Sequence, residues 1–404
     1  MQETEEAKAV LSDRILSLAE SQTIAMAKKA RELAAKGYDV INLSFGEPDF
    51  QTPQYIKDAA KQAIDDGFTF YTPVPGYPEL REEISKKFKR DNNLDYAPDQ
   101  IVVSTGAKQS IANAVMCLVN PGDEVVIFSP YWVSYEEIVK LAEGVPVPIM
   151  GRLENDYKVT AEQLEKAITS STKLVMYSSP CNPTGAVFDE EELLAIARVL
   201  EKHPQIHIIA DEIYEYINFG EKHFSMANID FIRDRVITIN GFSKGYAMTG
   251  WRVGYLAASR EIASACDKMQ SQITSGTCSI AQKAAAAALK GGNACALEMA
   301  EAYRRRRDLV LDLMNEIPGF KTYLPNGAFY IFPDISAYFG KQYEGKTIES
   351  ALDLSMFILS DAHVAVVSGE AFGAPQCIRF SFATSDEKLT EALRRIKNSL
   401  AKLQ

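Results

Sequence analysis

No apolar run in this 404-residue chain approaches the roughly 20 residues needed to cross a bilayer. The longest monotonous stretch, Ala284 to Leu289, is alanine-rich, flanked by Lys283 and Lys290, and reads as ordinary helix. Basic charge is also short. The 43 Lys and Arg face 54 Asp and Glu, a formal net charge of −11. That deficit argues against a general nucleic-acid binder and against docking on an anionic membrane. None of the six cysteines is spaced as CxxC, and no paired framework is apparent. The four histidines form neither HExxH nor a Cys/His cluster, so no metal site is expected. The acidic first ten residues lack the basic-then-apolar order of a signal peptide. Together these absences predict a cytoplasmic protein without disulfide or metal staples.

What is present is globular. Hydrophobic residues make up 47% and charged residues 24%, which excludes a disordered or fibrous chain. The length suggests two domains. Helical periodicity runs from Thr23 to Lys36, with Ser21 or Thr23 as a possible cap and Gly37 placed to end it. The middle of the chain alternates short apolar runs with amphipathic stretches. The runs are IVVS (101–104), EVVIF (124–128), KLVMYSS, IHIIA (206–210), VITIN (236–240) and VGYLAA (253–258). Helices are expected from about Lys108 and near Tyr135 to Ala142. This alternation predicts an α/β layer with a largely parallel sheet. After Ala284 the pattern is mainly helical, and AFYIFP and CIRFSFA add two late strands. No Gly/Ser-rich linker or internal repeat occurs, so a continuous helix near 290–315 is the expected hinge to a second domain.

Ligands of open α/β sheets bind outside the carboxyl ends of the strands. That rule selects Thr105-Gly106-Ala107-Lys108, Ser129-Pro130-Tyr131-Trp132, Pro180-Cys181-Asn182-Pro183, Asp211-Glu212-Ile213-Tyr214 and Gly241-Phe242-Ser243-Lys244. All five sets should converge on one crevice. Their chemistry fits pyridoxal phosphate, which needs a Schiff-base lysine, an acid for its ring nitrogen, an anion site and a flat cover. Lys244 is the candidate lysine and Asp211 the acid. The free N–H groups where Gly106-Ala107-Lys108 opens a helix can hold phosphate. Arg252, eight residues after Lys244, adds a fixed bidentate charge. Trp132 can stack on the ring, a reading favoured over a place in the core. Asn182 and Tyr214 can hydrogen-bond the ring's 3′-oxygen. Asp211 alone would read as a helix cap; its neighbours at the adjoining strand ends favour the cofactor.

Gly241–Gly254, GFSKGYAMTGWRVG, resembles the lysine signature of class I aminotransferases, in which Arg-x-Gly follows the lysine at a fixed distance. LSFGEPDF, YTPVPGYPELR, SPYWVSY, SPCNPTGAV, ADEIYE, AYRRRRDL, GAFYIFP and RFSFATS occur in the family's order, so the likeness covers nearly the whole chain. It is nearest to bacterial aspartate aminotransferases carrying GAKQ and SPYWVSY. The resemblance implies a fold-type I enzyme: a large domain with a mostly parallel mixed sheet flanked by helices, plus a smaller α+β domain. The large domain is expected at 51–295, and the small one from 1–50 with 296–404. It also implies a homodimer with shared active sites, acting on amino acids and 2-oxo acids without nucleic acid or membrane. By position Lys244 bonds the cofactor and moves the proton. Asp211, Tyr214, Asn182, Arg252, Ala107 and Lys108 match cofactor positions, and Tyr71 reaches the phosphate from the neighbouring subunit. Arg379 matches the arginine that grips the α-carboxylate, and Gly46, Trp132 and Asn182 match substrate contacts.

Some positions depart from the family. The animal-type subgroup binds the second substrate carboxylate with a partner-subunit arginine, but SQITSGT (271–277) contains none. In the bacterial subgroup that work falls to Lys108, helped by a segment matching Ser21-Gln22-Thr23. Gly241 replaces a phosphate-binding serine, and Cys181 stands where Asn is frequent. The expected reaction is ping-pong transfer from aspartate to 2-oxoglutarate. Rivals are aromatic or prephenate-type transamination, a fold-type I lyase, and a non-enzymatic ligand sensor. Two other motifs carry less. Gly340–Thr347 fits P-loop spacing, but its interior is bulky and charged. Arg304–Arg307 reads as an ion-paired helix face.

Overall fold

The computed structural model describes residues 11–19, 22–220 and 222–404. The apolar runs become seven strands of one sheet. In spatial order they are Ile101–Ser104, Gly254–Ala257, Val236–Gly241, His207–Asp211, Thr172–Ser178, Glu124–Ser129 and Val145–Met150. The last five run parallel to one another. Gly254–Ala257 is antiparallel to both neighbours, which makes the sheet mixed. Register aligns the carboxyl ends, with Ser178 opposite Asp211 and Asp211 opposite Ile239.

Alternate side chains along each strand face opposite sides. Val103, Val126, Val175 and Ile208 point to one core, with Ile56, Leu80 and Ala284 from the helices Gln54–Asp65, Pro78–Lys87 and Ser279–Lys290. Val102, Val125, Leu174 and Ile209 point to the other. There they meet Ile111, Tyr135 and Ile262 from the helices Ala107–Leu118, Ser134–Leu141 and Arg260–Ile273. Helices therefore cover both faces, which is why the strands read as continuous apolar runs.

A further core joins Ile41 and Leu43 to Met299, Tyr303, Phe329, Phe380, Leu389 and Ile396. Ile41–Asn42 pairs in parallel with Val364–Ala365, so early and late parts of the chain share a sheet. Val367–Ser368, Ile378–Ser381 and Tyr330–Ile331 form an antiparallel sheet beside it. A single helix, Ala294–Asn315, runs through the segment read as the hinge. Among the described residues no helix is long and apolar enough to cross a membrane.

The P-loop-like segment is a hairpin. Gln342–Tyr343 and Lys346–Thr347 pair antiparallel around Glu344 and Gly345, both at positive φ. That is the backbone a two-residue hairpin turn needs. In the arginine run, Arg304 meets Glu301 and Arg306 meets Asp49. Arg307 meets Asp308 and the carbonyl of Pro325.

Candidate active site

The strand ends open onto one cavity of about 410 Å³. Its lining includes Lys244, Asp211, Asn182, Tyr214, Trp132 and Arg379, so the sets chosen from strand ends do converge. Ala107, Lys108, Arg252 and Gly46 line it as well. Tyr71 does not; it is 99% exposed on its own chain. Ser21 and the side chain of Thr23 lie outside the described residues. Gln22 begins the helix Gln22–Ala35, and Ile24 reaches the cavity wall. Cys181 is a buried filler, with its Sγ 3.5 Å from the Pro130 carbonyl.

The buried end of the site is acidic. Asp211 is 5% exposed and accepts from the Tyr135 hydroxyl at 2.7 Å and the Ile213 N–H at 3.2 Å. Burial pushes its carboxyl up to about 6, against the pull of these hydrogen bonds. Lys244 is held by the same physics with opposite sign. Burial, then Arg379, bring its ammonium down to about 8. Its Nζ donates to the Gly46 carbonyl.

The anion-binding features come from backbone and arginine together. The first N–H groups of the helix Ala107–Leu118 have no intrahelical acceptor, and Gly106 supplies no side-chain cap. Gly106 sits at φ +85°, and a Cβ there would lie 2.2 Å from Arg252 Nη2. Glycine thus lets the guanidinium lie against the turn. Arg252 itself takes a left-handed backbone at φ 56°. That costs roughly 1–2 kcal/mol for a residue with a side chain. Its Nη1 bonds the Thr249 carbonyl at 2.9 Å and its Nη2 the Thr105 carbonyl at 3.4 Å. A Cβ on Gly254 would come within 2.2 Å of the Ala107 nitrogen, so that glycine lets the helix start close to the sheet.

Arg379, on the strand Ile378–Ser381, is 2% exposed. It donates to Asn182 Oδ1 at 2.9 Å and to the Ser44 carbonyl at 2.6 Å. Its Nε finds no acceptor among the described residues. A buried guanidinium with a spare donor is poised for an anionic ligand. Lys108 Nζ lies 4.9 Å from the Trp132 ring centre, and burial, then Arg252, lower its proton affinity. Tyr214 shares a 2.7 Å hydrogen bond with the Tyr330 hydroxyl.

This donor set fits pyridoxal phosphate: a buried acid for a ring nitrogen, an amine of lowered proton affinity, and N–H groups with a guanidinium for phosphate. The fold and site define a fold-type I pyridoxal phosphate enzyme. The chain belongs to the aminotransferase family: the profile "Aminotransferase class I and II" matches residues 38–396. It is 49% identical over 392 residues to the aspartate/prephenate aminotransferase of Cereibacter sphaeroides, covering 96% of this chain and 98% of that one. The aspartate aminotransferase of Rhizobium meliloti has TM-score 0.94 and 42% identity, covering 98% of this chain and 99% of its own. That of Thermus thermophilus, solved with maleate, has TM-score 0.91 and 39% identity, over 97% and 100%.

Tyr135 and Tyr330 escaped the sequence reading. Both lie in the quoted segments SPYWVSY and GAFYIFP, yet nothing in their spacing reveals which buried oxygen each would meet. Tyr135→Phe removes a donor to the charged form of Asp211. A hydrogen bond to a charged group is worth about 1.5–3 kcal/mol, so cofactor affinity should fall at least about tenfold. Titrating cofactor-free protein with pyridoxal phosphate checks this. The same titration against pH should show affinity falling as pH drops through about 6, where Asp211 takes up a proton and loses the charge that would hold a ring nitrogen.

Proposed function

We propose that this aminotransferase moves the amino group of aspartate to 2-oxoglutarate by a ping-pong cycle. The observation that carries the substrate reading is the pair of cations on the cavity wall. Arg379 and Lys108 both line it, beyond Arg252, which the phosphate requires. Two such cations suit an amino acid with two carboxylates. The relative from Cereibacter sphaeroides is named for aspartate and prephenate, and the Thermus thermophilus neighbour was solved with maleate, a dicarboxylate. The named relative also favours a second reading, prephenate or an aromatic acid as acceptor, and Phe45 and Ile24 give the cavity apolar walls for it.

Bound pyridoxal phosphate supplies an aldehyde for the amino group and a ring that withdraws electrons from the substrate α-carbon. Asp211 holds the proton on the ring nitrogen. Lys244 would hold the cofactor through its amine and would serve as the acid–base group for the substrate's α-proton. Asn182 and Tyr214 hydrogen-bond the ring's 3′-oxygen, and Trp132 covers its face. The N–H groups of Ala107 and Lys108, with Arg252, hold the phosphate. Arg379 grips the α-carboxylate, and Lys108 takes the second carboxylate. Gly46 keeps the substrate side open; a Cβ there would stand 3.0 Å from the Tyr330 hydroxyl.

The working unit is a homodimer with shared sites. Phe70 is 84% exposed beside Tyr71, and a large exposed aromatic pair suits a surface covered by a second copy. In that dimer each Tyr71 serves the neighbouring cavity. The shared core of Ile41 and Leu43 with residues beyond Ala296 supports a small domain made from both chain ends, around a large domain at 51–295. Six unpaired cysteines suit a reducing, cytoplasmic location.

A panel of amino donors with 2-oxoglutarate tests the substrate assignment. Aspartate should give the highest kcat/KM, and Lys108→Met should lower kcat/KM for aspartate about 10- to 100-fold while sparing monocarboxylic donors. Equal losses for all donors would remove Lys108 from the side-chain pocket.

A further inference from the structure

Asp211, Ile213 and Tyr214 line the cavity, but Glu212 and Glu215 do not. Glu212 is 1% exposed and Glu215 6%. A buried carboxylate is costly unless paired, and both are paired. Glu212 Oε1 accepts from the Ser225 hydroxyl at 2.6 Å, and its Oε2 lies 3.1 Å from His223 Nε2. Glu215 Oε1 forms an ion pair with Lys87 Nζ, and its Oε2 accepts from Asn92 Nδ2 at 2.9 Å. Lys87 is fully buried; its ammonium also donates to Asn92 Oδ1 at 2.8 Å. Asn228 Nδ2 in turn donates to the Asn92 carbonyl at 2.8 Å. Burial would lower the proton affinity of His223, but Glu212 and Glu215 outweigh it, and the net direction is upward.

The residue after each cofactor-facing side chain is thus a buried carboxylate clamped to another part of the chain. Stability alone is a weak reason for this. Replacing a buried ion pair with apolar groups of similar volume is often neutral or stabilising. What such a pair fixes is position: each carboxylate takes one directed hydrogen bond, Glu212 from Ser225 and Glu215 from Asn92, and one close ion-pair contact, from His223 or Lys87.

We propose that the pairs Glu212–His223 and Glu215–Lys87 are a positioning frame that sets how Asp211 and Tyr214 face the cofactor. None of these four side chains lines the cavity, so they act only through the turn they hold. The proposal rests on the roles assigned above to Asp211 and Tyr214.

The test compares the wild-type enzyme with Lys87→Met/Glu215→Leu, a near volume-conserving apolar pair, and with Glu212→Gln, which retains an acceptor for Ser225. Three quantities are measured: the melting temperature of cofactor-free protein, the Kd for pyridoxal phosphate, and the pH titration of the bound cofactor's visible absorption. A modestly lower melting temperature is expected for the apolar pair, because buried Asn92 loses both of its side-chain partners. In both variants Kd weakens about tenfold, the scale on which outer partners of a bound group act, and the titration midpoint moves. A wild-type Kd and titration in both, whatever the melting temperature, would overturn the proposal. If the apolar pair does not fold, Glu212→Gln decides alone on the same two readouts. Asp211→Ala, run in parallel, separates the levels. An unchanged Kd there overturns the assignment of Asp211 itself; a loss there with wild-type values in the frame variants overturns only the frame.

Discussion

Lys244→Ala lowers steady-state transamination by about four orders of magnitude, the upper end of what a positioned acid–base group contributes. The residue does two jobs, and alanine can do neither. In the proposed cycle it bonds the cofactor and carries the substrate's α-proton. Its surroundings are built for the second task. Burial beside Arg379 brings the ammonium to about 8, so much of the amine is free base near that pH rather than above 10. The Gly46 carbonyl holds the nitrogen in place. The phosphate features do not involve Lys244, so the variant should still bind pyridoxal phosphate, now without a covalent link. Borohydride treatment followed by denaturation checks this: cofactor stays on the wild-type chain and leaves the variant. Folding should survive, because alanine removes a buried amine whose charged form is costly in that site. A variant that turns over at near wild-type rates would remove Lys244 from the chemistry.

Arg379→Ala gives the second large effect, a fall of about 10²- to 10³-fold in kcat/KM for every amino acid tested. Truncating one member of a buried, hydrogen-bonded charge pair costs roughly 2–5 kcal/mol. The α-carboxylate is common to all donors, so the loss should be uniform. It should be expressed mainly in KM, because in the proposed cycle the carboxylate stays gripped throughout the reaction. Part of the effect is indirect. Alanine also leaves Asn182 Oδ1 and the Ser44 carbonyl without their donor. Arg379→Lys separates the contributions by keeping the charge and losing the two-pronged geometry. It should recover only part of the loss. An effect confined to one donor would move Arg379 to the side-chain pocket.

Lys244 was legible in the sequence itself, and the reason is topological. Parallel strands placed side by side present their carboxyl ends together, so residues after separate apolar runs must meet. Lys244, Asp211, Asn182, Trp132 and Lys108 came to light in this way. Arg379, Gly46 and Tyr71 did not; they needed the family resemblance, because a late strand, an early loop and an exposed loop carry no such rule. The antiparallel course of Gly254–Ala257 was hidden too, since a buried strand looks the same in either direction. Least legible was the layer behind the site. Lys87 ends the charged helix PELREEISKK, where nothing in the sequence marks one lysine as fully buried against Glu215. Tyr135 and Tyr330 join the site only through their hydroxyl partners, which no spacing discloses.

The central claim is that an amino group is stored on the enzyme and passed to a second substrate. Mixing cofactor-loaded enzyme with aspartate, in the absence of any 2-oxo acid acceptor, tests it most directly. The account predicts that oxaloacetate forms to a single equivalent per active site and stops, and that adding 2-oxoglutarate restarts it with glutamate as product. Continued formation of product without an acceptor would contradict it and place the enzyme among the lyases.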